Sequence, residues 1–243
     1  MDAAELRERV SQVRWFHTID LGQEVVTPGR DRTPQKLQRV RLPSDLSGQS
    51  VLDIGAWDGF FSFECERRGA ARVMAIDDYT WPGGAPGGGS KAGFELAREA
   101  LGSRVEDSDV AFADLSPDAL GGQFDVVLFL GVLYHMEHPW AALEKAASVC
   151  TRLLIVETHV DMLGYRRPAA AFYPGTELNR DVTNWWGPNP ACVEGMLRPL
   201  GFQRVETVWL DSTPRRVARA AYRLVRPPRL NWRMGRAVFH AHR

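Results

Sequence analysis

The sequence predicts an α/β fold: a Rossmann-like, doubly wound, mostly parallel seven-stranded sheet with helices on both faces. The first observation is Val51–Gly59 (VLDIGAWDG), where strand formers run into an acidic residue and two glycines, and a helical pattern follows at Phe60–Cys65. The second is Phe124–Gly131 (FDVVLFLG), an apolar run apart from Asp125, which is typical of a central parallel strand buried on both faces. The third is the alternation of strand and helix patterns along the chain.

The remaining elements are predicted from local periodicity and from Gly or Pro punctuation. Helical spacing of apolar residues predicts helices at Ala3–Val13, Pro34–Val40, Phe94–Leu101, Trp140–Val149 and Pro190–Leu200. Short apolar runs predict strands at Arg72–Ile76, Val110–Ala113, Leu153–Val156 and Arg204–Leu210, with Val238–His242 as a last edge strand. Ligands of such sheets bind beyond the carboxyl ends of the strands, where we expect Asp53, Asp77, Asp114, Gly131 and Glu157.

Two domain-level regions are predicted. Residues 1–48 form a helical lead-in, and residues 49–243 form the Rossmann-like domain. Within the second region, residues 161–188 have little periodicity but carry five aromatic residues, which is typical of an inserted substrate lid. The segment Tyr79–Ser90 is rich in Gly and Pro and is predicted to be a mobile loop.

The composition is that of a soluble globular protein, with 44% hydrophobic residues, 25% charged residues and a formal net charge of zero. Three widely spaced cysteines argue against a disulfide framework and fit a reducing compartment. The first ten residues, MDAAELRERV, lack an apolar signal core. The longest apolar run, Val126–Tyr134, is less than half the length of a membrane span. We therefore expect a cytoplasmic protein without a membrane span.

Basic residues are concentrated near the end of the sequence. From Asp211 to Arg243 there are nine arginines and one acidic residue. Such a stretch is a solvated arginine-rich edge, a clamp for an anionic acceptor or a nucleic-acid surface. It lacks the lysines and interleaved glycines of RNA-binding tails. An anionic or glycosylated small-molecule partner is therefore favoured over nucleic acid.

The turn after the first strand predicts the kind of cofactor. The dinucleotide fingerprint G-x-G-x-x-G has glycine where this chain has Trp57, and the indole would obstruct a diphosphate. Asp77 ends the second strand, where a carboxylate accepts ribose hydroxyls, and Asp114 is expected at the end of the third strand, beside an adenine amino group. An adenosine attached to an amino acid, S-adenosylmethionine, matches this pattern. The predicted cofactor-binding residues are Asp53, Gly55, Ala56, Trp57, Gly59, Asp77, Asp78, Asp114, Leu115, Leu130 and Gly131.

Four sequence blocks resemble the successive motifs of class I S-adenosylmethionine-dependent methyltransferases: VLDIGAWDGFFSFE, AIDDY, FDVVLFLGVLYHMEHP and LLIVETHVD. The WFHTIDLG…TPG lead-in and the GVLYH block resemble the branch of carboxymethoxyuridine-forming tRNA methyltransferases and their small-molecule-modifying relatives. The resemblance covers Trp15 to Leu210. It implies that Gly55 and Gly59 cradle the methionyl part, Asp77 holds the ribose, Asp114 holds the adenine, Leu130 and Gly131 lie beneath the sulfonium, and Tyr134 and His135 face the substrate.

One departure from that branch bears on the transferred group. The tRNA enzymes transfer a carboxymethyl group and use an upstream lysine to hold its carboxylate. Here Lys36 is the lysine that precedes the first motif, and its position in the sequence differs from theirs. Arg30 is an alternative cation, but plain methyl transfer is the simpler interpretation.

The catalytic candidates are His135, Glu157 and Tyr134. A histidine suits proton removal near pH 7, so His135 is the first candidate for general base; the alternative is that it caps the short helix after the strand. Glu157, His159 and Asp161 alternate with period two and include the residue types of a divalent metal site. The favoured alternative is a metal-free polar strand end, with Glu157 contacting the substrate directly.

Aromatic and histidine side chains supply the predicted acceptor pocket, although aromatic residues at such positions are as often part of a core. The predicted substrate-binding residues are Trp15, His17, His159, Tyr173, Trp185 and Trp186. Together these features predict a methyltransferase acting on a small molecule, with a hydroxyl as the acceptor, in secondary metabolism. The alternatives are a tRNA wobble-uridine modifying enzyme and a non-catalytic S-adenosylmethionine-binding protein.

Overall fold

A computed structural model describes residues 1–83, 89–214, 216–218 and 233–243, and it confirms the predicted sheet-and-helix architecture. The helices with described bounds are α1 (Ala3–Gln12), α2 (Thr33–Val40), α3 (Phe60–Arg67), α4 (Ala92–Leu101), α5 (Pro139–Ser148) and α6 (Pro190–Leu197). The strands are β1 (Ser50–Ile54), β2 (Arg72–Ile76), β3 (Glu106–Ser108), β4 (Phe124–Leu130), β5 (Cys150–Val160), β6 (Ala170–Phe172), β7 (Trp186–Pro188), β8 (Arg204–Leu210) and β9 (Gly235–His242).

Seven of these strands form one sheet in the order β3-β2-β1-β4-β5-β9-β8. β1, β2 and β3 pair in parallel, whereas β9 pairs antiparallel with both β5 and β8. The pairing of β8 with β9 shifts register between Thr207 and Trp209. Strands β6 and β7 form a separate antiparallel pair. The predicted mostly parallel seven-stranded sheet is thus confirmed.

The chain divides into two compact units, and the first comprises Met1–Leu128. Its helix α1 begins at an aspartate cap, because Asp2 accepts hydrogen bonds from the N–H groups of Ala4 and Glu5. The face of α1 that carries Leu6 and Val10 is buried, as its amphipathic pattern predicts. β1 pairs with β2 along its whole length, and its residues after Ser50 are buried.

The second unit comprises Phe129–Arg243. α6 begins at Asn189, whose side chain accepts from the N–H of Cys192, and Pro190 occupies the first helical position. β5 is buried from Leu153 to Val160, because it packs among apolar side chains and pairs with β9 over eight residues. Most of the β9 side chains are fully buried as well.

Three predicted strands differ from the observed ones. The third strand is Glu106–Ser108, and the predicted run around Val110–Ala113 instead leads into a 3-10 turn at Phe112–Asp114. The last strand is not at an edge, because β9 lies between β5 and β8 and leaves β8 at the edge. β5 continues past Val156 to Val160, so it includes Glu157 and His159.

Two predicted features lie partly outside the described residues: positions 84–88 of the Gly/Pro-rich loop, and positions 215 and 219–232 of the basic segment. Among the helices that the structure describes, none combines the length and the apolar character needed to cross a membrane.

Candidate functional site

The turn after β1 has the backbone of a ligand-binding turn. Gly55 and Gly59 adopt φ values of +78° and +81°, which suit glycine, and Trp57 adopts +51°, which is strained for a large side chain. A Cβ added to Gly59 would lie 2.6 Å from the ring of Phe94, so glycine is required there for space as well. Ala56, which follows Gly55 in this turn, is buried.

Asp77 at the end of β2 holds this turn in place. One carboxylate oxygen accepts from the N–H of Trp57 at 3.0 Å, and the other accepts from Thr80 at 2.6 Å and from Tyr79 at 3.1 Å. Burial raises the pKa of Asp77, although these hydrogen bonds oppose the change. The oxygen that accepts from Trp57 has a second lone pair, with which it can accept from one ligand hydroxyl.

Asp53, the last-but-one residue of β1, is 3% exposed and accepts a 2.7 Å hydrogen bond from the hydroxyl of Ser62 on α3. Burial raises the pKa of Asp53 to about 6, against the opposing effect of Ser62. Asp53 therefore fixes the first turn of α3 against β1, a contact that the motif spacing did not indicate.

Asp78 joins the end of β2 to the turn that carries two other predicted residues. Its carboxylate accepts from the N–H of Phe112 at 2.7 Å. The following turn ends in Asp114, which is exposed, and Leu115, which is buried. Asp114 thus ends a 3-10 turn and not a strand, and Asp78 anchors that turn.

The lead-in packs on the glycine turn through Asp58, a residue that was absent from the predicted site. Asp58 is 1% exposed, and one of its oxygens accepts from the N–H groups of Phe16 at 2.7 Å and His17 at 2.8 Å. The ring of Phe16 stacks on Trp57 with centres 4.2 Å apart. An acid directly before Gly59 was the available sequence signal, but its partners lie about forty residues upstream.

Two of the predicted substrate-binding residues belong to this lead-in. Trp15 is 2% exposed, and its indole N–H donates to the carbonyl of Val10 at 3.0 Å. His17 is 4% exposed, and its Nδ1 lies 3.9 Å from Asp58, too far for a hydrogen bond. Burial lowers the pKa of His17, so its imidazole is neutral near pH 7.

The burial of Asp58 predicts a change in stability with pH. Burial raises its folded-state pKa to about 6, whereas an unfolded aspartate titrates near about 3.9. The folded state therefore retains the proton longer, and its stability falls as pH rises from about 4 to about 6. As pH rises over that range, the wild type should lose stability that the uncharged Asp58→Asn variant keeps. We expect the unfolding free energy of the variant to increase relative to that of the wild type by about 2 to 3 kcal/mol.

Urea unfolding of both proteins at several pH values between 4 and 7 measures this difference. Asp109→Asn is the control, because Asp109 is an exposed carboxylate paired with Lys91. A difference between wild type and Asp58→Asn that stays constant with pH would show that Asp58 titrates normally.

In the second unit, Gly131 has three functional side chains close to it. A Cβ added there would lie 3.7 Å from Arg236 Nη2, 3.9 Å from Glu157 Oε2 and 3.9 Å from Tyr134 Oη. The N–H of Gly131 also donates to the carbonyl of Glu157 at 2.8 Å. Leu130, directly before it, is buried. The structure therefore brings together four of the predicted residues, Leu130, Gly131, Tyr134 and Glu157.

Arg236 is the partner of Glu157 and was not predicted. Its Nε donates to Glu157 Oε1, and its Nη2 donates to Oε2 at 2.5 Å, which makes the pair bidentate. Its guanidinium also lies 4.9 Å from the ring centre of Tyr134. Burial lowers the pKa of Arg236, but the neighbouring Glu157 outweighs it and holds that pKa well above the usual value. In the sequence, Arg236 is one of the nine arginines of the basic segment, and its neighbouring residues do not distinguish it from the others.

His135 lies in a 3-10 turn after β4 and is held through one ring nitrogen. Its Nδ1 lies 2.9 Å from the carbonyl oxygen of Thr183 and 3.0 Å from the hydroxyl of the same residue. A carbonyl can only accept, so Nδ1 carries the proton and Nε2 carries the lone pair of a base. Burial lowers the pKa of His135. His135 can therefore be anchored to Thr183 through Nδ1 and still accept a proton at Nε2.

His159 and Tyr173 form a short polar chain with Asp161. The Tyr173 hydroxyl donates to Asp161 Oδ2 at 2.6 Å and lies 3.3 Å from His159 Nε2. Burial, together with the neighbouring Asp161, raises the pKa of Tyr173 above its usual range. In the described part of the chain, no three His, Cys, Asp or Glu side chains are grouped as a metal site.

The predicted lid aromatics form a surface cluster. Phe172, which is 53% exposed, stacks parallel to Trp185 at 6.2 Å and contacts Trp186 at 5.0 Å between ring centres. The backbone N–H of Trp185 donates to the carbonyl of Tyr134, and the indole of Trp186 donates to the carbonyl of Glu137. The cluster is therefore fixed to the turn that carries Tyr134 and His135.

Comparison with curated proteins finds relatives that match about three quarters of this chain. A tRNA U34 carboxymethyltransferase of Ectopseudomonas mendocina (strain ymp) is 28% identical over 190 residues, which cover 75% of this chain and 53% of that protein. A tRNA U34 carboxymethyltransferase of Colwellia psychrerythraea is 27% identical over 70% of this chain and 49% of its own length. The chain thus spans about half the length of the curated relatives it matches.

Among solved structures, the N-terminal domain of EvdMO1 with SAH bound has a TM-score of 0.68 at 18% identity, covering 100% of this chain and 97% of that one. At this identity the likeness concerns the fold. A family model described as a methyltransferase domain matches residues 29–199. The match covers more than half of the chain, and the predicted resemblance to class I S-adenosylmethionine-dependent methyltransferases is confirmed. The chain belongs to the methyltransferase-domain family.

Proposed function

We propose that this protein transfers a methyl group from S-adenosylmethionine to a hydroxyl of a small molecule, in secondary metabolism. The observation that carries this proposal is His135, a neutral imidazole with its Nδ1 proton fixed on Thr183 and its Nε2 lone pair left for a substrate proton. A hydroxyl acceptor needs such a base, whereas an amine that is already neutral does not. The cofactor site is proposed in the first unit and the acceptor site in the second.

The residues present fit the cofactor. Asp77 supplies a buried carboxylate for a ribose hydroxyl, and the strained Trp57 closes the position where a diphosphate would need glycine. Gly55 and Gly59 provide the left-handed backbone that this turn needs. The bound sulfonium would supply an activated methyl group, so the protein has mainly to position the acceptor.

In the proposed acceptor site, each residue has one role. Tyr134 orients the acceptor through its hydroxyl, and Arg236 fixes Tyr134 and Glu157 in one arrangement. His135 removes the acceptor proton at Nε2. The half-buried rings of Trp185 and Trp186, with Tyr173 and His159, bind a flat or apolar part of the acceptor.

His135→Gln is expected to lower kcat by about a hundredfold to ten-thousandfold, because general-base catalysis typically contributes that much. The base acts when unprotonated, so the wild-type kcat should fall as pH is lowered through the pKa of His135. Burial lowers that pKa, so the fall should occur below the pH at which an ordinary histidine titrates. A pH profile of kcat at saturating substrate measures both effects.

The exposed His138, directly before α5, provides the control, and His138→Gln should leave the profile unchanged. Thr183→Val tests the anchor separately, since it removes the hydroxyl contact and keeps the carbonyl. Full turnover by His135→Gln would remove His135 from the mechanism.

Modification of tRNA wobble uridine is the second candidate, and the two tRNA U34 carboxymethyltransferases at 27–28% identity favour it. Incubation with S-adenosylmethionine labelled in its methyl group, and separately with its carboxymethyl sulfonium analogue labelled in the transferred group, is followed by separate recovery of small molecules and bulk tRNA, and this distinguishes the candidates. Label in a small molecule supports the first proposal and label in tRNA supports the second. Tight binding of S-adenosylhomocysteine without transfer to any acceptor would indicate a non-catalytic binding protein.

A further inference from the structure

A cavity lies in the second unit, where β5 leaves the sheet and β9 enters it. Asp161 directly follows β5, and Arg233 lies two residues before β9. The backbone joins these two ends, because the N–H of Leu163 donates to the carbonyl of Arg233 at 3.1 Å. The volume of the cavity is about 310 Å³, at the lower end of the range for small-molecule sites. Its lining residues are Asp161, Met162, Gly164, Tyr165 and Arg233.

One wall of the cavity is a strained turn that its neighbours hold in place. Met162 has a φ of +52°, which is uncommon for a large side chain. Its N–H donates to Asp161 Oδ1 at 2.5 Å, and its carbonyl accepts from the N–H of Tyr165 at 2.8 Å. The carbonyl of Tyr165 accepts at 3.1 Å from the side-chain amide of Asn189, which is buried. Backbone strain of this kind persists only where the surroundings fix it, and it is frequent at ligand sites.

A polar chain connects the cavity with the proposed acceptor site. The Tyr173 hydroxyl contacts both Asp161 Oδ2 and His159 Nε2. Gly187 on β7 makes this approach possible, because a Cβ there would lie 2.7 Å from Tyr173 Oη and 2.9 Å from Asp161 Cβ. Along an extended backbone, Asp161 lies roughly 13 Å from Glu157, four residues earlier. A single acceptor molecule can therefore reach both places.

The lining of the cavity selects against charged ligands. The Asp161 carboxylate, on a residue that is 5% exposed, repels anions, and the Arg233 guanidinium repels cations. A neutral ligand with hydroxyl groups suits both, since a carboxylate accepts hydrogen bonds and a guanidinium donates them. The ring of Tyr165, which is 61% exposed, and the thioether chain of Met162 provide apolar surface beside these polar groups.

A pyranose combines the two properties that this lining requires. Its hydroxyl groups both donate and accept, and its C–H groups form an apolar face that packs on an aromatic ring. We propose that the cavity binds a pyranose ring of a glycosylated acceptor. This inference rests on the proposed function, because it gives the chemical class of the acceptor.

NMR titration of the ¹⁵N-labelled chain with four methyl glycosides tests the inference: those of glucose, galactose, mannose and rhamnose. We expect at least one of them to shift the amide signals of residues 162, 164 and 165. The Kd should be about 1 to 10 mM, the level that a single small ring reaches without its aglycone. Tyr165→Ala should weaken this binding by about threefold to tenfold, because it removes the stacking face. Arg233→Met should weaken it by about tenfold or more, because it removes charged donors.

Two control variants remove the same groups elsewhere in the second unit. Trp140→Ala removes an exposed ring on α5, and Arg198→Met removes an exposed guanidinium after α6. Both should leave the Kd unchanged. The proposal is overturned if none of the four glycosides binds, or if neither Tyr165→Ala nor Arg233→Met weakens the binding. Binding of methyl phosphate that is lost in Arg233→Met, without binding of any glycoside, would assign the cavity to an anion instead.

The titration separates the failure of this inference from the failure of the proposed function. It contains no cofactor, so the absence of glycoside binding would leave methyl transfer to another small molecule standing. Recovery of the transferred label in tRNA would overturn the proposed function, whatever the cavity binds.

Discussion

Arg236→Met is expected to destabilise the protein by about 3 kcal/mol, because it leaves the carboxylate of Glu157 buried without its cation. The Glu157 side chain is 5% exposed, whereas that of Arg236 is 30% exposed, so the carboxylate bears most of the cost. The variant also loses the contact of the guanidinium with Tyr134. Thermal unfolding measures the effect, which corresponds to a decrease in Tm of roughly 6 to 12 °C for a chain of this length.

The double variant Arg236→Met, Glu157→Gln is the matched test of this explanation. A glutamine at 157 carries no charge, so we expect it to recover about half of the lost stability or more. Glu157→Gln alone should cost less than Arg236→Met, because Arg236 retains access to water. If the double variant is as unstable as the sum of the single variants, the two residues are not energetically coupled and the ion pair contributes little.

Asp77→Ala is expected to weaken S-adenosylhomocysteine binding by about a hundredfold. One hydrogen bond from a ribose hydroxyl to a charged carboxylate accounts for that loss. The variant also removes the acceptor that holds Trp57 in its left-handed conformation, so the turn itself should loosen. Isothermal titration calorimetry gives Kd, and hydrogen exchange at the N–H of residues 57, 79 and 80 reports the turn.

Asp77→Asn separates these two effects, because an amide keeps one acceptor oxygen and the shape of the side chain. It should preserve more of the turn than alanine and still lose affinity for the ligand. Asp109→Ala, on an exposed carboxylate, serves as the control. Unchanged affinity in Asp77→Ala would place the ribose elsewhere.

Most of the sheet could be predicted because each strand carries its own apolar pattern. β1 is buried after Ser50 and β4 is buried except at Asp125, and the sequence shows this as apolar runs that Asp53 and Asp125 interrupt. β3 was misplaced because a three-residue strand with the sequence EDS pairs through its backbone and has no apolar pattern. The position of β9 inside the sheet depends on pairing across more than seventy residues, which local periodicity does not report.

In the candidate site too, features that depend on local sequence could be predicted, whereas features that depend on distant partners could not. The positions of Asp77 and Gly131 directly after their strands could be predicted, because the motif places both residues at a strand end. Arg236 and Asp58 could not, since their partners lie 79 and about 40 residues away. The sequence showed only that Lys36 lies at a different position from the lysine of the tRNA enzymes, and its place beside Phe16 and Phe61 depends on the packing of α2.

The two outermost strands of the sheet affect how this protein behaves at high concentration. A free strand edge is a template for pairing with another chain, and proteins limit that risk with short, charged or irregular edges. β3 has three residues, two of them acidic, and β8 carries Arg204 and Glu206 beside its register shift. Neither edge offers a long, flat, apolar strand to a second molecule. Insertion of an extra chain at these edges, the usual first step of sheet-based aggregation, is therefore disfavoured by the native state itself.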